Sequence, residues 1–536
     1  MVTPVAPIAG ETPASAAPGL MTRAPVTAGV TALVLAGALV LVSGASASLR
    51  RPLWLDEVVT QLIAQSPRGI LHAMRSGVDF QPPPHYFLVR LADALAGTPS
   101  AFSARLPSVV VASLTVLLLG ATLRTRLSLA SALAGALALA AHPLFVAQAV
   151  EARPYALWIF ATALTAECLR PGRRGGAWLA AIAAIVLCTS HYFGVLSLAA
   201  LALGVAGYAR FSHHRSWTGT LGAVVPLGAG ALALLALLPL ARAQLAATAG
   251  RSWVPAASPD DVRYFLGFIW GWRPALFLIA AGVAFAVARR LPALAARLPH
   301  GERLPLDATL VALLATVMVP LLVGLVSVTY TPVLVLRYSV PAVLSLATVC
   351  AFAVELLPRP LRWLGLLLLL RAGLFSWQSA AAAGRDDASR VAAEAQAVQQ
   401  LDARGIPTVS PFRHDAYRAS FGARGMPAVA WMEIPDSLLD RAAAAAPTTV
   451  PRNMLLVERD FGRAVYREFG FPAVITAGEA RGNPAVALLR DAALSAADTL
   501  WFPGRSACPL SARLVVYSRP DAATTCPALQ GAMARR

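Results

Sequence analysis

Lysine is absent from this chain: all 45 basic residues among its 536 are arginine. Charge of either sign is scarce, at 13% of residues against 57% hydrophobic, and the mean hydropathy is +0.63. So little charge excludes an ordinary soluble globular protein. The formal net charge of +18 does not make the chain a nucleic-acid binder, because the arginines fall in small groups between apolar runs instead of striping one face. No fixed-period repeat is visible, which argues against a solenoid or a simple inverted-repeat transporter. The all-arginine, alanine-rich habit looks like that of a GC-rich bacterial genome.

What is present is apolar length. A spanning helix needs about 20 predominantly apolar residues, and by that criterion about eleven runs occur between Ala28 and Ala380. The first, "AGVTALVLAGALVLVSGASAS", exceeds the roughly 7 to 15 residues of a signal-peptide core, so it reads as a retained anchor behind a disordered cytoplasmic leader, residues 1–25. Arginines collect at every second connection: Arg124 and Arg126; Arg170, Arg173 and Arg174; Arg210 and Arg215; Arg289, Arg290, Arg297 and Arg303; Arg359 and Arg362. The positive-inside rule makes those connections cytoplasmic. The alternate connections, with Asp56, Glu57, Asp79, Glu151, Asp260 and Asp261, then face outward, as does everything after residue 381.

The long outward loop, residues 48–102, carries two amphipathic patterns. In "LWLDEVVTQLIA", Leu55, Val58, Val59, Leu62 and Ile63 share one helix face, and Asp56 and Glu57 sit in the first turn, where the helix dipole favours negative charge. In "VDFQPPPHYF" three prolines end any helix and pin Asp79 at a turn. "HYFLVRLADALAG" follows as a second surface helix, too short and too charged to span. Ser258-Pro-Asp reads as another helix start. From residue 382 the composition changes to that of a soluble domain, 382–536. There the helical "ASRVAAEAQAVQQLDARG" precedes strand candidates "PTVS", "AVAWM", "MLLVE", "AVIT" and "RLVVYS", which predict a small α/β domain. Cys508 and Cys526 lie in it, as a disulfide or as two free thiols.

Taken singly, "WLDE", "DFQPPPHYF", "EARPYAL", "SHYFG" and "RYSVP" each also read as a solvated helix start, a turn or an interfacial anchor. As an ordered set over roughly residues 28–345 they resemble the GT-C superfamily of membrane glycosyltransferases. The likeness is to the bacterial branch similar to protein O-mannosyltransferases and the lipid A aminoarabinose transferase. The chain departs from the pattern at Gln81, where relatives commonly carry histidine before paired prolines.

The resemblance implies a GT-C transmembrane domain, 26–381, that moves a sugar with inversion from a polyprenyl-phosphate donor to a glycan, lipid or protein acceptor at the outer face. Such chemistry needs a carboxylate to take the acceptor proton and cations to meet the charge growing on the leaving phosphate. The implied catalytic residues are Asp56, Glu57 and Asp79. Arg153, Tyr155, Arg337 and Tyr338 are the implied phosphate ligands, and Gln81, His85, Tyr86, His191 and Tyr192 the sugar or acceptor ligands. Asp79 and Glu151 are candidate ligands for a divalent metal (Mg, Mn or Zn), or else orient the arginines. A transporter or lipid flippase is the rival class, and a polymerase or ligase using a diphosphate-linked donor the rival within enzymes. Ionisable groups concentrated in the connections favour an enzyme over a transporter.

Overall fold

The computed structural model describes residues 24–170, 175–211, 217–247, 254, 257–290 and 306–402, and two strands at 506–511 and 514–518. Its first eight helices are α1 (Ala24–Arg50), α2 (Leu55–Gln65), α3 (Ile70–Arg75), α4 (Pro84–Ala96), α5 (Ala101–Arg124), α6 (Leu129–Ala141), α7 (Pro143–Ala149) and α8 (Tyr155–Cys168). Among the described residues six helices are long and apolar enough to cross a membrane, or eight if each bent pair is one span. That makes a multi-pass helical protein, with fewer spans by length than the eleven expected. Three further apolar helices, α8, Gly176–Ser190 and Ala342–Leu356, are shorter than a span needs by that measure.

Small residues let the side chains of one span pack onto the backbone of the next. A β-carbon at Gly37 of α1 would lie 2.6 Å from Leu117 Cγ, and one at Gly120 of α5 would lie 2.5 Å from Leu33 Cδ2. Larger residues at either glycine would push α1 and α5 apart.

Both amphipathic helices of the first loop form. α2 buries Val58, Val59, Leu62 and Ile63 in a second apolar cluster with Met74, Tyr86 and Val89, so its apolar face turns to protein rather than to lipid. α4 is the reverse: Phe87, Leu91 and Leu95 are exposed, while His85, Tyr86 and Asp93 are buried. Asp93 latches the loop together, accepting hydrogen bonds from Gln61 Nε2 (2.6 Å) and Gln65 Nε2 (2.5 Å) of α2 and from Ser103 Oγ (2.5 Å) of α5. The short α3 between them has no counterpart in the sequence reading.

Ser258 caps the helix Pro259–Trp270, its hydroxyl accepting the Asp261 N–H at 3.1 Å, as the Ser-Pro-Asp signal predicts. The helix Arg359–Asp402 runs unbroken for 44 residues. At 1.5 Å per residue that is about 66 Å, twice a hydrocarbon core of about 30 Å. The compositional boundary at 381/382 therefore falls inside a helix. Ser506–Ser511 pairs antiparallel with Leu514–Ser518, inside the predicted strand "RLVVYS". The other four strand candidates, Cys526 and most of the leader lie outside the described residues.

Candidate active site

One fully buried ion pair ties the loop between α1 and α5 to the start of α5. Arg105, in the second turn of α5, donates Nε–H to Glu57 Oε1 at 2.7 Å and Nη2–H to Oε2 at 2.5 Å, with neither side chain exposed. The same guanidinium donates to the carbonyls of Ser48, Arg51 and Pro52, which close the end of α1. Glu57 also accepts the Ala152 N–H (2.8 Å), from the α7–α8 turn, and the Trp54 N–H (3.1 Å). Burial pushes the Glu57 carboxyl up, but the charge and hydrogen bonds of Arg105 outweigh it and hold the group below its usual range. Expected among the catalytic carboxylates, Glu57 has both oxygens committed to holding three connections in register.

That hub fixes Asp56, which points the other way and is a quarter exposed, with Arg337 Nη2 at 3.5 Å from Oδ2. The Arg337 guanidinium lies among three rings, 5.5 Å from that of Trp54, 5.7 Å from Tyr338 and 6.0 Å from Tyr155. Arg153, one residue beyond Ala152, reaches Asp79 with both Nη atoms, and Asp79 further accepts from Tyr86 Oη (2.7 Å) and the Phe80 N–H (2.8 Å). Arg153 Nη1 also donates to Thr60 Oγ1 at 3.2 Å. Tyr86 thus spends its hydroxyl on Asp79, and the proline turn places that carboxylate against the α7–α8 turn.

Behind the arginines lies an aromatic box. His191 stacks on Trp158 at 4.5 Å and 11°, with Tyr155 at 5.4 Å and Tyr338 at 5.9 Å. Its Nδ1 accepts the Phe193 N–H at 3.0 Å, which assigns the proton to Nε2. Burial, then Arg153 and Arg337, push the imidazole well below its usual range, so it is a neutral donor. Neither His191 Nε2 nor Tyr155 Oη has a hydrogen-bond partner among the described residues.

Gln81 and His85 are buried beside this region, and Gln81 Oε1 and His85 Nε2 have no protein partner. Burial and the charge of Arg153 hold His85 down to about 4. Tyr192 Oη donates to Gln244 Oε1 at 2.8 Å, and Gln244 Nε2 donates to the Gln81 carbonyl at 3.3 Å. Glu151 is half-buried, but its Oε2 is sealed off and unpartnered. Burial, with Glu57 adding repulsion, pushes its carboxyl up to about 7. The site residues named from sequence therefore come together from the first loop, the α7–α8 turn, the corner at 191–192 and the turn at 337–338. Sequence reasoning missed Arg105, Trp158 and Gln244. A lone arginine entering an apolar run is itself a signal for Arg105, whereas nothing in "ARAQLAA" singles out Gln244.

Among the described residues no three His, Cys, Asp or Glu side chains gather in one place. Asp79, the candidate ligand, already engages Arg153, Tyr86 and the Phe80 N–H.

Residues 80–241 match the family model for dolichyl-phosphate-mannose-protein mannosyltransferases. The GT-C resemblance is borne out. The matched segment contains Gln81, His85, Arg105, Arg153, Tyr155, His191 and Tyr192, while Asp56, Asp79 and Arg337 lie outside it. Two crystal structures of ArnT from Cupriavidus metallidurans, both 17% identical, are similar to this chain. The apo structure has a TM-score of 0.44 over 90% of this chain and 82% of that one. The structure bound to undecaprenyl phosphate has a TM-score of 0.43 over 89% and 82%. No curated protein matches the sequence.

Proposed function

We propose that the chain is an inverting glycosyltransferase that takes a sugar from a polyprenyl-phosphate donor and passes it to an acceptor hydroxyl at the outer face of a bacterial inner membrane. The observation that carries this reading is the meeting of Asp56 with Arg337 and of Asp79 with Arg153 at one end of the bundle. In the step envisaged, the acceptor oxygen bonds to the anomeric carbon as the carbon–oxygen bond to phosphate breaks. The lipid phosphate leaves with the electron pair, and the acceptor proton passes to Asp56. Arg337 stands beside both partners, so a phosphate that attracts it loosens its hold on Asp56 and leaves a better base. Arg153, Tyr155 and Tyr338 are read as further phosphate donors. Glu57 is read as a positioning residue.

Charge supports a monophosphate over a diphosphate. Four arginines (Arg51, Arg105, Arg153, Arg337) accompany Asp56, Glu57, Asp79 and Glu151, and the Glu151 carboxyl titrates at about 7. With Glu151 protonated the set carries one positive charge in excess, which a phosphodiester balances and a diphosphate exceeds.

Orientation follows the arginines. α5 has 24 residues, about 36 Å, and separates the Arg105 hub from Arg126, which pairs with Asp307 (2.7 Å) and Glu167 (3.3 Å). Glu355 and Arg362 meet at 3.1 Å, with Ser128 bridging them. We assign that end to the cytoplasm, count the three shorter apolar helices as spans, and place 382–536 outside as a separate α/β domain. Asp307, Glu167 and Glu355 are thus paired at a bundle end, unlike the midplane groups of a transporter.

The test is transfer by the purified protein from polyprenyl-phosphate sugars and polyprenyl-diphosphate sugars carrying the same label. Turnover of monophosphate donors supports the reading. Turnover of diphosphate donors alone would move the protein to the polymerase or ligase class.

A further inference from the structure

Beside the phosphate-binding arginines lies a patch of hydrogen-bonding groups of a different chemical kind. Gln81 and His85 come from the proline turn and α4, Tyr192 from the 191–192 corner, and Gln244 from the end of the helix Gly228–Ala247. Gln244 is completely buried, and Gln81 and His85 are 4% and 2% exposed. A glutamine at the end of an apolar span has no reason to be buried unless its amide is used. Here one side of it is: Oε1 accepts from Tyr192 Oη, and Nε2 donates to the Gln81 carbonyl. These bonds tie the span to the proline turn at the Gln81 carbonyl, the backbone from which the Gln81 carboxamide projects. Gln81 Oε1 and His85 Nε2 are left without a protein partner.

None of the four side chains is an acid. The nearest carboxylate, Asp79, is taken up by Arg153, Tyr86 and the Phe80 N–H. The acid with an unpartnered oxygen, Glu151, feels chiefly Glu57, Arg51, Arg337 and Asp56, on the other side of the site. An ammonium group at the patch would lose its water, meet neutral amides and lie near Arg153, with no free counter-ion. Sugar hydroxyls, which donate and accept, match amides, a phenol and a neutral imidazole.

We propose that Gln81, His85, Tyr192 and Gln244 form the sugar subsite, that it takes a neutral hydroxylated sugar, and that it rejects one bearing a free amino group. The inference rests on the reading of the protein as a polyprenyl-phosphate sugar transferase and supplies the sugar class. Gln244 is its new specificity-determining residue, holding the Gln81 backbone and the Tyr192 hydroxyl in register.

Binding, not turnover, tests it. Titration of the purified protein by intrinsic tryptophan fluorescence would compare three lipids of one chain length: sugar-free polyprenyl phosphate, a neutral hexose or pentose donor, and a 4-amino-4-deoxypentose donor. The neutral donor is expected to bind about tenfold tighter than the sugar-free lipid, and the amino-sugar donor no tighter than it. Equal binding of all three, or preference for the amino sugar, overturns the proposal. Gln244→Leu is expected to abolish the tenfold gain and leave the sugar-free lipid unaffected. If the gain survives, or if both lipids weaken together, Gln244 has no part in a sugar subsite. Gln81→Asn, a milder change, should lose most of the same gain. Normal binding with no transfer from any donor would count against the reaction and leave the subsite intact.

Discussion

Arg105 and Glu57 meet with neither side chain exposed, and between them they touch the end of α1, the start of α2 and the α7–α8 turn. Removing one member of such a pair strands the other charge in a dry interior. Arg105→Leu is therefore expected to destabilise the protein by roughly 3–5 kcal/mol, read as a lower unfolding temperature in detergent. An unchanged transition would show that the pair does not organise the loop.

Asp56 is the residue whose loss should stop chemistry alone. Asp56→Asn keeps the shape and removes the base, so kcat should fall by roughly 10²- to 10⁴-fold with normal insertion and normal binding of polyprenyl phosphate. Full activity in that variant would remove Asp56 from the mechanism.

Glu151 sets a pH dependence. Its carboxyl titrates at about 7, and ionising it adds negative charge beside Arg337 and Asp56, where the phosphate is to bind. Donor KM is expected to rise as pH increases through 7, and Glu151→Gln should flatten the profile. A wild-type profile already flat from pH 6 to 8 would contradict this. For folding the sign is the same: a carboxyl raised from its usual 4.5 to about 7 gives stability that is intact below the lower value and is lost progressively as pH rises to the higher one.

Asp93 should matter without touching substrate. Asp93→Ala strands the donors of Gln61, Gln65 and Ser103 that it now satisfies, at a cost of roughly 2–4 kcal/mol. Differential scanning of the detergent-solubilised protein would read the loss, and an unaltered melting point would argue against the latch.

Much of this was legible in the residues themselves. Period-3.6 patterns gave α2 and α4. The short motifs identified loops that do meet. Three things were not legible. Glu57 and Asp56 are adjacent letters with the same chemistry, and only the partner 48 residues on, Arg105, separates a buried positioning acid from an open one. The inward polar face of α4 was hidden because lipid reverses the usual rule for which side of a helix is greasy. Gln244 carries no pattern, since a lone amide gains meaning only from the tyrosine and carbonyl that three-dimensional packing sets beside it.

α4 turns Phe87, Leu91 and Leu95 outward and keeps His85 and Tyr86 beneath, so in a bilayer it rides like a float whose waterline sets how deep the reactive groups hang. A thinner or thicker bilayer would carry the float, and the residues beneath it, down or up together.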